Sequence, residues 1–303
     1  MIPKPRKEKQ DNIKRRGNKF RLFNYKKEQE AMLYGAEGCN RFIYNKALAT
    51  QKERLDNGQK LLSYYELANL LPDWKKELPF LCETMSQPLQ QTLMHLSRAI
   101  WDAFDKTNPK RFPTFKKKGK DTGSIIFPQG FKIDEANARI FLPKIGWVRY
   151  RKSKTLSGTP KSAVVSVKNG KWYISILTEE GELPRVNVIP SEENSIGIDK
   201  GVAKFCALSN GSIILPHDVP DKVQKKLKRL QKKLARQIKG SNNWKKTKHR
   251  IALLYEHIAN QKSDFTHKLT STLCKSHDCV FSEELKIKDM TKSAKGTLDN
   301  PGT

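Results

Sequence analysis

The sequence predicts an α+β protein with about two domains. Its 303 residues are enough for two domains of ordinary size. Apolar residues recur at helical spacing between residues 26 and 105, and beyond Gly123 they alternate with polar residues. A second set of strands and helices begins near Asn194. Together these patterns predict a helical and β-rich first part, followed by a smaller mixed part.

The chain carries a large excess of positive charge. Lys and Arg number 59 against 31 Asp and Glu, which gives a net charge of +28. Such self-repulsion is expected of a protein whose usual partner is a polyanion. Residues 1–18 are polar and basic, and they are expected to form a flexible N-terminus.

Several classes of protein are excluded by composition. No apolar run approaches the roughly 18 residues that a membrane span needs. The basic N-terminus is not followed by the apolar segment of a secretory signal. Five scattered cysteines predict reduced thiols in a cytosolic protein.

The helical part begins after a short strand in the segment KFRLFNY. Gly35 and Gly38 predict a break in the helical pattern that follows, and therefore two short helices joined by a turn. A helix-turn-helix DNA reader and an ordinary packed helical pair both fit this pattern, and shape alone favours the pair. Residues 61–105 also have a helical pattern, and residues 85–104 are expected to form an amphipathic helix of ordinary length.

Alternating segments predict strands in both parts of the chain. SIIFPQGFKI, ARIFLPKIGWVRY, SAVVSVK and KWYISIL predict four or more strands of a sheet or barrel, with a hairpin turn at Asn169-Gly170. IGIDKGVAKFCAL predicts a strand pair in the second part, and Asn210-Gly211 marks its next hairpin.

Residues 222–250 contain thirteen Lys or Arg and no Asp or Glu. Two apolar seams flank a break at residues 240–243, which predicts a basic helical hairpin. The seams are Val223, Leu227, Leu230, Leu234 and Ile238, then Ile251, Leu254, Ile258, Phe265 and Leu269. A merely solvated face normally mixes charges of both signs. This run therefore predicts salt-dependent contact with phosphates.

The residues expected to bind nucleic acid are Lys116, Lys117, Lys118, Lys225, Lys226, Arg229, Lys232, Lys233, Arg236, Lys245 and Lys246. Four aromatic residues lie among basic neighbours and are candidates for stacking on bases: Phe20, Tyr44, Trp147 and Trp172. Most aromatic residues at strand and helix spacing nevertheless belong to a core.

Acidic residues end two apolar strands. Asp199 follows Ile196-Gly197-Ile198, and Glu283-Glu284 follows Val280-Phe281. A carboxylate at a strand end is most often a solvated residue or a turn cap. The order of Asp, hairpin, basic helices and Glu is nevertheless that of RNase H-like nucleases. In those enzymes carboxylates hold divalent ions for phosphodiester hydrolysis.

At these residues the sequence resembles the TnpB family, also called OrfB. The family is encoded by bacterial insertion sequences and is related to type V CRISPR effector nucleases. The similar segments include EGCNRFIYNKAL, PLQQTLMHLSRAIWDAF followed by RFPTFKKK, IGIDKGVAKFCALSNG and SEELKIKDM. Each segment is modest evidence, whereas their order and spacing together are specific.

The resemblance implies a fold and a metal site. Residues 19–190 are expected to form a nucleic-acid-holding lobe with an OB-like β-barrel. Its parts are a helix-turn-helix-like start at about 19–50, a helical insertion at about 50–110 and a β-rich part at about 123–190. Residues 191–303 are expected to form a partial RuvC-like domain. Asp199 matches the first catalytic Asp. Glu283 matches the catalytic Glu, because the motif is Glu, an acidic or amide residue, then Leu. Both are expected to bind Mg²⁺ in a two-metal site.

The sequence departs from the family near its end. Family members continue through a CxxC…CxxC zinc ribbon to a third catalytic Asp, and neither is found before Thr303. The chain is therefore expected to be C-terminally truncated, to lack the zinc, and to be impaired in cleavage.

The function that the resemblance implies is that of a transposon-encoded, RNA-guided DNA endonuclease of the kind also named transposase. Guide RNA and DNA are its expected partners, with no membrane or small-molecule substrate, in the bacterial cytoplasm at the nucleoid. The alternative is a non-catalytic RNA- or DNA-binding remnant or regulator.

Overall fold

The computed structural model describes residues 13–105, 107, 110–119, 123–182, 188–201 and 204–283. The chain divides into two units, residues 1–184 and 185–303, and each unit has its own β-sheet. The mixed α/β character predicted from the sequence is confirmed. In the described part of the chain, no helix combines the length and apolar character that crossing a membrane requires.

A seven-stranded antiparallel sheet forms the base of the first unit. Its strands are β1 (Ile13–Phe23), β2 (Ser124–Phe127), β3 (Lys132–Asp134), β4 (Arg139–Leu142), β5 (Gly146–Tyr150), β6 (Thr159–Lys168) and β7 (Lys171–Glu182). They lie in the order β2-β6-β7-β1-β5-β4-β3. The long strand β1 pairs with both β7 and β5, so the N-terminal strand joins the two halves of the sheet. Residues 13–18, predicted to be flexible, instead belong to this strand, because their backbone pairs with β7.

The β6–β7 hairpin turns where the sequence predicts it. Lys168 pairs with Lys171, and the two residues between them, Asn169 and Gly170, have φ values of +50° and +73°. Two successive positive φ angles are typical of a type I′ turn, whose twist matches that of paired strands. Strand β7 then buries every second residue, from Trp172 to Thr178, in the core.

The helices of the first unit are α1 (Lys27–Asp56), α2 (Tyr64–Asn69), α3 (Leu71–Glu77) and α4 (Ser86–Phe104), with a 3₁₀ turn at Pro79–Cys82. The predicted break at Gly35 and Gly38 is wrong, because both glycines lie inside the continuous helix α1. An interior glycine costs about 1 kcal/mol relative to alanine. The helix buries Leu33, Ile43 and Leu48 completely, and this packing outweighs that cost.

The second unit contains β8 (Ser195–Lys200), β9 (Cys206–Leu208), β10 (Ile213–Ile214), α5 (Asp221–Ala235), α6 (Asn242–Ser276) and β11 (Cys279–Ser282). The sheet order is β10-β9-β8-β11. Strands β8, β9 and β10 are antiparallel, and β11 is parallel to β8.

Helices α5 and α6 form the predicted basic hairpin. Gly240 has a φ of +89° in the connection, and the Ser241 hydroxyl accepts a hydrogen bond from the Trp244 N–H to begin α6. Leu230 and Ile251 are the buried members of the two apolar seams. Ile238 is the exception. It lies beyond the end of α5 and is 83% exposed, so its place in the seam was wrongly predicted.

Candidate metal site and nucleic-acid interface

Asp199 and Glu283 lie side by side at the ends of two parallel strands. Ser282, the last residue of β11, pairs with Ile198 of β8, so Glu283 directly follows β11 and lies opposite Asp199, the penultimate residue of β8. Residues in register on parallel strands share a face of the sheet. Both carboxylates are exposed, and both line an open cleft of about 470 Å³. The structure thus brings together two acidic residues that are 84 positions apart in sequence.

Hydrogen bonds at the start of the two strands set this register. The N–H groups of Asp278 and Cys279 both donate to the carbonyl oxygen of Asn194, at 2.9 and 3.1 Å. On the other side of β8, the Gly197 N–H donates to the Ser209 hydroxyl, and the Ser209 N–H donates to the Gly197 carbonyl, each at 3.0 Å. Hydrogen bonds on both sides therefore hold the strand that carries Asp199.

The chemistry of this pair suits a hard divalent cation. Neither carboxylate forms an ion pair within the described ranges of the chain. Carboxylate oxygens are the ligands that Mg²⁺ prefers. No group of three or more His, Cys, Asp or Glu side chains gathers at any one place among the described residues. Glu284, Asp289 and Asp299 lie outside those residues.

The basic hairpin presents its cations to solvent. All the predicted binding residues in this region are exposed: Lys225, Lys226, Arg229, Lys232, Lys233, Arg236, Lys245 and Lys246. None of them pairs with a carboxylate in the part of the chain that the structure describes. The face opposite the Leu230 seam is therefore a dense array of solvated positive charge, as a phosphate-binding surface requires.

The lysines of residues 116–118 lie on a loop that is held against α1. The Asn45 side chain donates to the Lys116 carbonyl at 3.0 Å and accepts from its N–H at 2.8 Å. The Lys116 ammonium lies 4.0 Å from the centre of the Tyr44 ring. Burial, reinforced by the positive charges of Lys116 and Arg98, lowers the pKa of His95 below its ordinary value. Lys117 and Lys118 are exposed.

Three of the four aromatic candidates for base stacking were wrongly chosen. Phe20 is 2% exposed, Tyr44 is 9% exposed and Trp172 is fully buried, so their rings belong to the cores of the first unit. Trp147 alone of the four is exposed. Arg139, which sequence reasoning missed, lies over its ring. The alternation of apolar and polar residues in β4 and β5 could have indicated that Arg139 and Trp147 share one face of the sheet.

Two family models match the chain. One, described as "Probable transposase" and belonging to OrfB of IS605, matches residues 175–294. The other, described as "Helix-turn-helix domain" of the same OrfB family, matches residues 14–60, which here form β1 and the single helix α1.

Curated relatives cover most of the sequence. "Putative RNA-guided DNA endonuclease InsQ" of Escherichia coli strain K12 is 44% identical over 277 residues, which are 91% of this chain and 67% of the relative. "Putative RNA-guided DNA endonuclease" of Streptomyces pristinaespiralis is 30% identical over 285 residues, which are 91% of this chain and 69% of the relative. The sequence matches define a protein of the probable-transposase class, and its structure has acidic strand ends and a basic helical hairpin. The chain belongs to the OrfB family of IS605-type elements, also called TnpB.

Two solved structures are weakly similar. A cryo-EM structure of a Cas12f1–sgRNA–target DNA complex has a TM-score of 0.31 and 14% identity, and covers 92% of this chain and 74% of that one. A cryo-EM structure of a CRISPR–Cas12f ternary complex has a TM-score of 0.32 and 13% identity, and it covers 88% of this chain and 64% of that one. TM-scores below 0.5 do not establish a shared fold.

Proposed function

We propose that this chain acts as an RNA-guided DNA endonuclease of the TnpB type, with guide RNA and DNA as its partners in the bacterial cytoplasm. The observation that carries the proposal is the pairing of Asp199 with Glu283 at adjacent parallel strand ends, in the same unit as the basic hairpin. The names of the two curated relatives support the same activity.

Each unit has a role in this proposal. Residues 19–190 form a nucleic-acid-holding lobe with an OB-like barrel, supported by the antiparallel sheet that β1 joins across its middle. Residues 191–303 form a RuvC-like nuclease domain. Its support is the arrangement of β8 between an antiparallel strand and the parallel strand β11, with the carboxylates at the ends of β8 and β11.

Asp199 and Glu283 are the proposed Mg²⁺ ligands, since they offer adjacent carboxylate oxygens in an open cleft. A bound divalent ion supplies an activated water and stabilises the leaving oxygen in phosphodiester hydrolysis. The hydrogen-bonded strand β8 holds the Asp199 backbone in place, so the ligand needs little reorganisation when the cation binds.

The basic residues provide phosphate contacts in this scheme. In RNA-guided systems sequence is read by base pairing, while the protein holds the backbone and shape of the nucleic acids. The array on α5 and the start of α6, with the lysines at 116–118, supplies contacts of this kind without reading bases.

Cleavage by residues 1–303 alone is proposed to be weak, because two carboxylates hold two metal ions less completely than a larger ligand set does. The alternative is a non-catalytic protein that binds RNA or DNA as a regulator or remnant. The observation that favours it is that the described residues gather no third acidic ligand beside Asp199 and Glu283.

The test is to express the chain together with the DNA that flanks its gene, purify it, and sequence the RNA that copurifies. The complex is then incubated with Mg²⁺ and a plasmid library matching that RNA. We expect a bound RNA and slow nicking that EDTA and Asp199→Ala abolish, whereas Asp218→Asn, an exposed carboxylate of the same unit, leaves nicking unchanged.

A bound RNA with no nicking above the Asp199→Ala level would establish the binding-only alternative. A chain that retains neither RNA nor DNA would contradict both.

A further inference from the structure

An exposed tryptophan lies on the outer face of the seven-stranded sheet. Trp147 is 41% exposed, and the other four tryptophans are buried or half-buried. Strand β5 alternates, so Val148 and Tyr150 enter the core while Trp147 and Arg149 face outward. Exposed aromatic rings are common on protein surfaces, but a ring on a strand with cations beside it has the two features on which bases stack, an aromatic face and a neighbouring guanidinium.

Cross-strand pairing builds a stack around this indole. Phe141 pairs with Trp147 in the β4–β5 ladder, and their ring centres are 5.7 Å apart in an edge-on arrangement. The guanidinium carbon of Arg139 lies 4.7 Å from the indole centre. Asp134 accepts a hydrogen bond from Arg139 Nε at 2.6 Å, which holds the guanidinium in place. The two flat groups are therefore positioned before any ligand arrives.

The indole lines a cleft of about 450 Å³ formed by the start of α1 together with β4 and β5. This volume lies within the roughly 300–1,000 Å³ typical of small-molecule sites. Lys26, Arg139 and Arg149 line it, with Glu28 as the one acid among the described lining residues. Gln29 Nε2 donates to the carbonyl oxygens of Ile145 and Trp147, at 2.9 and 3.0 Å, and fixes the wall that carries the ring.

We propose that this cleft binds one unpaired nucleotide of a single-stranded nucleic acid. The base stacks on the Trp147–Arg139 pair, and Arg149 and Lys26 neutralise its flanking phosphates. Every base has a π-face, so aromatic and guanidinium planes bind bases without reading sequence. A base inside a duplex is already stacked on its neighbours, so the cleft selects single strands. The inference rests on the proposed function and adds a specific binding site to it.

The test compares the full chain with Trp147→Ala in binding fluorescein-labelled U12, dT12 and a 12-base-pair duplex at one salt concentration. We expect Trp147→Ala to weaken binding of U12, dT12 or both by about 5- to 100-fold, and to leave duplex binding unchanged. Trp147→Phe keeps an aromatic plane and should retain most of the affinity. Tyr65→Ala removes an aromatic ring that is 76% exposed elsewhere in the same unit, and it should change nothing.

A second readout separates stacking from a structural effect. Stacking of a base on the exposed indole should quench the tryptophan fluorescence of the wild-type chain, and Trp147→Phe should remove most of that quenching.

If Trp147→Ala binds U12 and dT12 with wild-type affinity, the proposed nucleotide cleft is wrong, and the proposed function is not affected. An equal loss on the duplex would also overturn it, since the ring would then act through the fold. A wild-type chain that binds none of the three probes would instead overturn the proposed function. The probe whose binding Trp147→Ala weakens more, U12 or dT12, shows whether RNA or DNA supplies the base.

Discussion

Asp199 and Glu283 are neighbours across a parallel strand pair, one residue beyond the point where Ile198 pairs with Ser282. This relationship depends on Asn194, whose carbonyl receives both N–H groups at the start of β11. A slip of one residue in that ladder would move Glu283 to the opposite face of the sheet. The register of a four-residue strand thus decides whether two carboxylates face the same cleft.

The basic hairpin should determine the salt dependence of nucleic-acid binding. The logarithm of the association constant falls linearly as the logarithm of the salt concentration rises. Replacing Lys225, Lys226, Lys232 and Lys233 with Gln should make this line less steep. On duplex DNA the expected reduction of the slope is about 0.9 for each phosphate that the variant no longer neutralises. The measurement is a titration of labelled duplex between about 50 and 300 mM NaCl.

The control for this experiment replaces four exposed lysines of the first unit with Gln: Lys60, Lys76, Lys154 and Lys168. It removes the same amount of charge from a different part of the chain. Equal slopes for the two quadruple variants would contradict a dedicated phosphate surface on the hairpin.

The two tryptophans of the sheet should differ sharply in their effect on stability. Trp172→Ala empties a fully buried site and should lower the free energy of unfolding by about 3–5 kcal/mol. Trp147→Ala should lower it by about 1–2 kcal/mol, because the ring is partly exposed and gives up its cation–π interaction with Arg139 and its edge-on contact with Phe141. Urea unfolding followed by circular dichroism measures both. Similar losses would mean that Trp147 has a structural role.

Ser241 should contribute to the stability of α6 as its N-cap. Ser241→Ala removes the acceptor of the Trp244 N–H and should cost about 1 kcal/mol. Ser271→Ala is the matched control, an exposed serine inside the same helix, where alanine is at least as favourable. The comparison uses thermal unfolding of the two variants. A control as destabilised as Ser241→Ala would show that the hydroxyl does not act as a cap.

The contribution of Asp134 to stability should depend on pH. Hydrogen bonds from Asn137 and then Arg139 lower the pKa of this carboxyl from 3.8 to about 2. A carboxyl whose folded pKa is depressed stabilises the fold above its unfolded pKa, and that contribution is lost as pH falls from 3.8 towards 2.

Asp134→Asn should therefore lower the melting temperature at about pH 6, and the difference from wild type should shrink by about pH 2.5. All other acidic groups are the same in the two proteins, so their effects cancel in the difference between the two melting temperatures. A difference that stays constant over this range would show that the charge of Asp134 does not matter.

Much of the fold follows from local patterns. The turn at Asn169-Gly170, the amphipathic helix α4 and the basic hairpin were predictable, because turn chemistry and hydrophobic period are properties of neighbouring residues. The order of Asp199, hairpin, helices and Glu283 along the chain also indicated two carboxylates at strand ends.

The remaining features depend on contacts between distant segments. The sequence around Gly35 contains no local signal that α1 is continuous, because it is tertiary packing that keeps the helix intact there. Phe20 and Trp172 alternate with polar residues on strands that are paired in the middle of the sheet, so their burial reflects what packs on that face. The Arg139–Trp147 stack forms across a strand pair, and only the register of β4 against β5 brings the two side chains together.

The central claim is that Asp199 and Glu283 form a divalent metal site, and metal binding tests it most directly. Titration with Mn²⁺, a stand-in for Mg²⁺ that is visible by electron paramagnetic resonance, should show about tenfold tighter binding by wild type than by Asp199→Asn or Glu283→Gln. Glu284→Gln, one position further along, is the control and should bind as wild type does. Equal Mn²⁺ affinity in wild type, Asp199→Asn and Glu283→Gln would contradict the claim.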